Sequence, residues 1–151
     1  MQPRATVSDN RGVSAVIQIR IVEDFDPFRQ FICSKLREKP ELQVVGEVSD
    51  GMEGVRKAEE LQPDLILLDV GLPTLDGIEA ARRIYRLSRK CKIVFVSQES
   101  SADVVQEAFR SGASGYVVKA APELTCSLLL RQFLKAGILS AADYGVTIPP
   151  Q

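Results

Sequence analysis

Apolar residues recur along this chain with two alternating periods. Ile17, Ile19 and Ile21 alternate with Gln18 and Arg20 before Val22, which is the period of a strand. From Pro27 to Lys39, the residues Phe28, Phe31, Ile32 and Leu36 follow helical spacing, and Pro40 stops the run. LQVVGEV (42–48) reads as a second strand. Asp50 and Glu53 have the spacing of a capping box, ahead of a helix carrying Met52, Val55, Ala58 and Leu61 and closed by Pro63. A continuous apolar strand at 65–68 follows, then a helix with Ile78, Ala81, Ile84 and Tyr85 on one side. Residues 93–96 read as a fourth strand. The next helix holds Val104, Val105, Ala108 and Phe109, with Gly112 as its stop. GYVV (115–118) is the fifth strand, and a fifth helix opens with Pro122 and ends near Gly137.

Strands alternating with helices, with unbroken apolar runs in the central strands, predict a parallel sheet covered on both faces. The expected architecture is a doubly wound α/β domain over 17–137. Residues 1–16 read as a polar, mobile extension, and 138–151 as a tail or the start of a linker. In such sheets, ligands sit beyond the carboxyl ends of the strands, so those positions are where function is sought.

Composition narrows the chemistry. With 45% hydrophobic and 26% charged residues, the chain has the mixture of a globular domain with a real core. A net charge of -1 provides no global attraction to nucleic acid or anionic lipid. The absence of histidine removes His-based triads, His-ligated zinc and imidazole acid–base work. Cys33, Cys91 and Cys126 have no metal-ligand spacing, and their usage fits a reducing cytoplasm. No apolar run is long enough to cross a bilayer, and the N-terminal stretch lacks the apolar core of a signal peptide.

Polar residues follow the strands: Glu23 and Asp24 the first, Asp69 the third, Ser97 the fourth, Lys119 the fifth. Each alone could be a helix cap. Other residues are better placed for that work, however: Asp26 before Pro27, Asp76 with Glu79 three residues on, and Ser100 or Ser101. Lys119 has the wrong charge for a helix N-terminus. The spare residues all fall on one rim. Three carboxylates there repel one another unless a cation joins them. Oxygen-only ligands suit a hard cation such as Mg²⁺. A carboxylate can also act as a nucleophile and become an acyl phosphate, with the metal neutralising the transferred group. Lys119 and Ser97 would donate to phosphoryl oxygens. Gly71 would let the backbone approach and offer its carbonyl to the metal.

As a set, IVED, LILLDVGLPTLDG, VFVS and GASGYVVK resemble the response-regulator receiver domain of two-component signalling, over about 17–119 and into the fifth helix. The stretch 65–87 looks most like receivers that precede a helix-turn-helix DNA-binding domain. The resemblance implies a flavodoxin-like fold with strand order 2-1-3-4-5. It implies that Asp69 is the phosphoacceptor, charged by a sensor histidine kinase, and that Glu23, Asp24, Asp69 and the Gly71 carbonyl hold Mg²⁺. Lys119 matches the phosphoryl-binding lysine. Ser97 and Tyr116 match the switch pair that alters the helix 4–strand 5–helix 5 surface, which would serve a homodimer, an output domain or a partner protein. For Tyr116 the alternative is a sheet-edge tyrosine that packs its ring and wets its hydroxyl. The resemblance makes the chain a regulatory phosphoacceptor, not a turnover enzyme.

Two features depart from that pattern. Lys119 is followed by Ala120 where many receivers have proline in a cis bond; a non-proline cis bond costs about 2.5–4 kcal/mol, and the geometry here is left open. After the fifth helix only ILSAADYGVTIPPQ remains, and Arg131 and Lys135 are the only cations beyond Lys119. Direct nucleic-acid binding by this chain is therefore not expected. Either an output domain lies beyond this sequence or the regulator is single-domain. The fifth helix carries Leu124, Leu128, Leu129, Leu130, Phe133 and Leu134, broader than one buried stripe. That breadth suits an exposed interface, or a tail folded back through Ile138, Leu139, Val146 and Ile148. Two alternatives to the phosphoacceptor switch remain. One is a Mg²⁺-dependent phosphohydrolase with Asp69 as turnover nucleophile, although Gly71 stands where haloacid-dehalogenase-like phosphatases carry their second aspartate. The other is a receiver-shaped binding module that is not phosphorylated.

Overall fold

A computed structural model of the chain describes residues 16–140. Five strands alternate with five helices: β1 (Ile17–Val22), α1 (Asp26–Arg37), β2 (Leu42–Val48), α2 (Gly51–Leu61), β3 (Leu65–Leu68), α3 (Gly77–Leu87), β4 (Lys92–Ser97), α4 (Ala102–Arg110), β5 (Gly115–Val118) and α5 (Pro122–Lys135). The sheet has the order β2-β1-β3-β4-β5, with each neighbouring pair parallel. The expected flavodoxin-like, doubly wound fold is present.

Strand parity divides the core. Ile19, Ile21, Leu65, Leu67, Val94, Val96 and Val117 face α1 and α5, where Ile32, Leu36, Leu129 and Phe133 cover them. Val22, Ile66, Leu68, Ile93 and Phe95 face the opposite way, towards Ala58 of α2, Ala80, Ala81 and Ile84 of α3, and Ala108 of α4. Central β3 is buried at all four positions, as its unbroken apolar run predicts.

Two helix faces differ from the sequence reading. On α2, Met52 and Leu61 are exposed, and Gly51, Gly54 and Ala58 are buried. The helix lies so close to β1 that a Cβ on Gly54 would press on both Val22 methyls at 3.1 Å. Small residues therefore face the sheet; of the predicted stripe, Ala58 is buried and Val55 packs against the core, while Met52 and Leu61 lie outside. On α4, Ala108 alone of the predicted stripe is buried, while Phe109 is 47% exposed.

Caps fall largely where expected. The Asp50, Asp76 and Ser101 side chains accept from the backbone N–H of Glu53, Glu79 and Val104. Gly112 follows α4 at φ +111°, a conformation that side chains resist. The chain after α5 does fold back: Ile138 and Leu139 donate to the Phe133 carbonyl, and Leu139 is buried. Leu128 and Leu134 pack against the core, and Leu124 stays exposed. Val146, Ile148 and the N-terminal extension to residue 15 lie outside the described residues. Among the described residues no helix is long and apolar enough to cross a membrane, and Cys33, Cys91 and Cys126 are buried and not joined in a disulfide.

Candidate functional site

The backbone ladder of the sheet continues one residue past the strands and thereby assembles the site. Glu23 N–H donates to Val48, Asp69 N–H to Val22, and Lys119 N–H to Ser97. Residues far apart in sequence thus become neighbours on the carboxyl rim. Glu23, Asp69 and Ser97 are buried there, while Asp24 is exposed.

At the centre, the Lys119 ammonium bridges two carboxylates, 2.7 Å from Glu23 Oε1 and 3.0 Å from Asp69 Oδ2. Burial opposes its charge, but these two partners outweigh burial and hold its pKa above the usual lysine value. The Glu23 carboxyl is pushed up, first by burial and then by the charge of Asp69, with Lys119 and the Phe25 N–H only partly compensating. Each of Glu23, Asp24 and Asp69 offers a carboxylate oxygen, all within 4.8 Å of one another. Ionised, these three carboxylates face one ammonium, so the cluster retains negative charge that a divalent cation would neutralise. An all-oxygen donor set of this kind fits a hard cation, and these residues could hold one.

An open cleft of about 700 Å³ lies over the cluster, with Asp24, Phe25, Phe28, Gly71, Ser97 and Lys119 in its lining. Gly71 N–H makes a long 3.4 Å contact to Asp69 Oδ1. A Cβ on Gly71 would meet no protein atom within 4 Å, so this residue borders the open cleft. The glycine that the site does require is Gly77. Its N–H donates to the Val70 carbonyl at 2.7 Å, and a Cβ would collide with the backbone carbonyl oxygen of Asp69. Gly77→Ala is therefore expected to cost about 3 kcal/mol, the upper range for overpacking, measured by denaturant unfolding.

The spare status of some rim residues also needs correction. The N-cap position of α1 is Phe25, not Asp26, which is the first helical residue and makes no cap hydrogen bond. Glu23 Oε2 accepts from Phe25 N–H at 3.0 Å, so Glu23 does serve the helix entry. Ser97 Oγ accepts from Glu99 N–H, which orders the loop before α4. Tyr116 stacks on Phe95 at 5.8 Å between centroids, and its hydroxyl donates to the Glu99 carbonyl at 2.6 Å. The Lys119–Ala120 bond is trans. Ala120 N–H donates to Thr125 Oγ1 of α5, which fixes the loop without proline.

Two residues of the site were not singled out by sequence reasoning. Arg29 donates to the Glu23 carbonyl at 2.8 Å and pairs with Asp26 and Glu47, clamping the acidic loop to β2. Phe28 lies beneath Lys119. Both sit at ordinary helix positions, and neither carries a local signal that marks it.

Comparison with known proteins bears on this arrangement. The profile of the response regulator receiver domain matches residues 19–127. The Bacillus subtilis transcriptional regulatory protein LiaR is 36% identical over 104 residues, 69% of this chain and 49% of that protein. A protein-glutamate methylesterase/protein-glutamine glutaminase of Thermotoga maritima is 36% identical over 119 residues, 78% of this chain and 34% of that protein. The crystal structure of the response regulator domain of Thermotoga maritima CheB superposes with a TM-score of 0.75 at 31% identity, covering 83% of this chain and 98% of that domain. The chain thus spans about half or less of the length of these curated relatives.

Proposed function

From the premise that the chain belongs to the response regulator receiver domain family, we propose that it is a signalling switch charged on Asp69 by a sensor histidine kinase. The observation that carries this reading is the bridge of Lys119 between Glu23 and Asp69 at the mouth of an open cleft. In the transfer step, an Asp69 carboxylate oxygen attacks the phosphorus of a phosphohistidine. The P–N bond breaks, and the imidazole leaves and takes up a proton. Mg²⁺ held by Glu23, Asp24, Asp69 and the Gly71 carbonyl would supply charge neutralisation of the phosphoryl group. Lys119 hands one of its hydrogen bonds to a phosphoryl oxygen, and the Ser97 hydroxyl offers another. Slow attack of water on the acyl phosphate resets the switch.

The new charge then biases two packings of the domain. Ser97 turns to the phosphoryl group, and Tyr116 leaves the Glu99 carbonyl and moves inward. The output surface is that of α4, β5 and α5. Each of these elements exposes a large apolar side chain: Phe109 at 47%, Val118 at 41% and Leu124 at 53%. That supports a second copy, an output domain or a partner protein as the reader.

Labelling tests the reading. With Mg²⁺ and acetyl phosphate the chain is expected to acquire one phosphoryl group, mapped to Asp69 by peptide mass, and a chelator is expected to abolish the labelling. Steady release of phosphate over many turnovers would favour the phosphohydrolase instead. No adduct with acetyl phosphate or beryllofluoride would favour the unphosphorylated binding module.

A further inference from the structure

Lys119 has a third neighbour besides its two carboxylates. Its Nζ stands over the Phe28 ring, 4.6 Å from the centroid, within the range at which a ring face attracts an ammonium. The Lys119 side chain is only 11% exposed, so water screens this attraction weakly. Phe28 comes from the first turn of α1 and lines the cleft together with Glu23 and Asp69. The two carboxylates that hold Lys119 also belong to the cluster that could hold a cation. Among the described residues, the ring is the side-chain partner of Lys119 that lies outside that carboxylate cluster.

We propose that Phe28 is a positioning residue for Lys119. Its face keeps the ammonium over the cleft when Glu23 and Asp69 turn to a metal ion, so an arriving phosphoryl oxygen meets a donor already in place. Phe28 touches no reacting atom and acts through Lys119. The role rests on the phosphoacceptor reading of Asp69. Phe28 also packs against the α1–α5 side of the core. A purely packing role depends on the size of the ring, whereas the positioning role depends on the electron density of its face.

The test replaces Phe28 with increasingly fluorinated phenylalanines, which keep the shape while draining the face, in the full chain and in Lys119→Met. The expected result is a progressive fall in the rate of Asp69 labelling by acetyl phosphate at saturating Mg²⁺. About tenfold across the series is the size expected for losing a partly desolvated cation–π contact. In Lys119→Met the slow residual rate is expected to be flat across the series. A flat rate in the wild-type background, or equal slopes in both backgrounds, overturns the proposal. Absence of labelling in the unmodified chain would sink the phosphoacceptor reading instead. The unfolding midpoint of the metal-free protein then decides the contact without any phosphoryl group. Fluorination must lower it in the wild type and leave it unchanged in Lys119→Met, and parallel shifts overturn the contact.

Discussion

Asp69→Asn is expected to lose phosphoryl labelling completely while the chain remains folded. An amide is no nucleophile towards phosphorus under these conditions, so the acyl phosphate cannot form. The change is nearly isosteric, and the amide oxygen can still accept from the Lys119 ammonium that now lies 3.0 Å from Oδ2. Removing one of three carboxylates within 4.8 Å of each other also relieves repulsion on Glu23. The variant should therefore unfold cooperatively at a midpoint close to that of the wild type, and Mg²⁺ should raise that midpoint less than in the wild type. Mass spectrometry after incubation with acetyl phosphate reads the first effect, and melting with and without Mg²⁺ reads the second. Equal labelling of both proteins would move the phosphoacceptor elsewhere.

Lys119→Met should have the largest effect on stability. It leaves Glu23, whose side chain is 4% exposed, without its cationic partner and beside Asp69. Removing one member of a buried ion pair costs about 3–5 kcal/mol. The open cleft lets water in, so about 3 kcal/mol is expected in Mg²⁺-free buffer at neutral pH. The sign of the pH dependence follows from Glu23. Its folded pKa lies above the ordinary carboxyl value, so its contribution to stability is full below the unfolded pKa and is lost as pH rises through the folded one. Without Lys119 that loss grows, and the deficit of the variant should shrink on mild acidification, when Glu23 protonates. For Lys119 itself, the folded pKa lies above the usual value. The wild type should accordingly lose the stability of this bridge only at alkaline pH, past about 10.4, a limb that the variant lacks. Mg²⁺ should restore part of the stability of the variant at neutral pH by replacing the missing positive charge. Chemical denaturation across pH, with and without Mg²⁺, measures all of this. A deficit independent of pH would assign the loss to packing.

Much of the fold was legible in local pattern. The 65–68 run read as a buried strand, and all four of its residues are buried. Asp50 and Asp76 sat at cap positions that marked where α2 and α3 begin, and of Ser100 and Ser101 the structure selects Ser101 for α4. Asp69 stood out because Asp76 already served the next helix. Where local pattern misled, close packing was responsible: α2 turns its glycines and alanine inward and leaves Met52 and Leu61 outside. The same holds for Gly77: no local signal singles it out, and only the approach of the Asp69 carbonyl shows that it must lack a side chain.

What the sequence determined by itself were the five strand–helix units and the identity of the polar residues left over at the strand ends. Such features depend on neighbours within a turn or two of the chain. The tertiary structure decided that α1 and α5 share one face of the sheet and α2, α3 and α4 the other. It also decided that Lys119 closes on an aspartate 50 positions away, over a phenylalanine that looked like ordinary core. Those contacts arise from parallel strand registers, and no local spacing encodes which distant side chains a ladder will bring side by side.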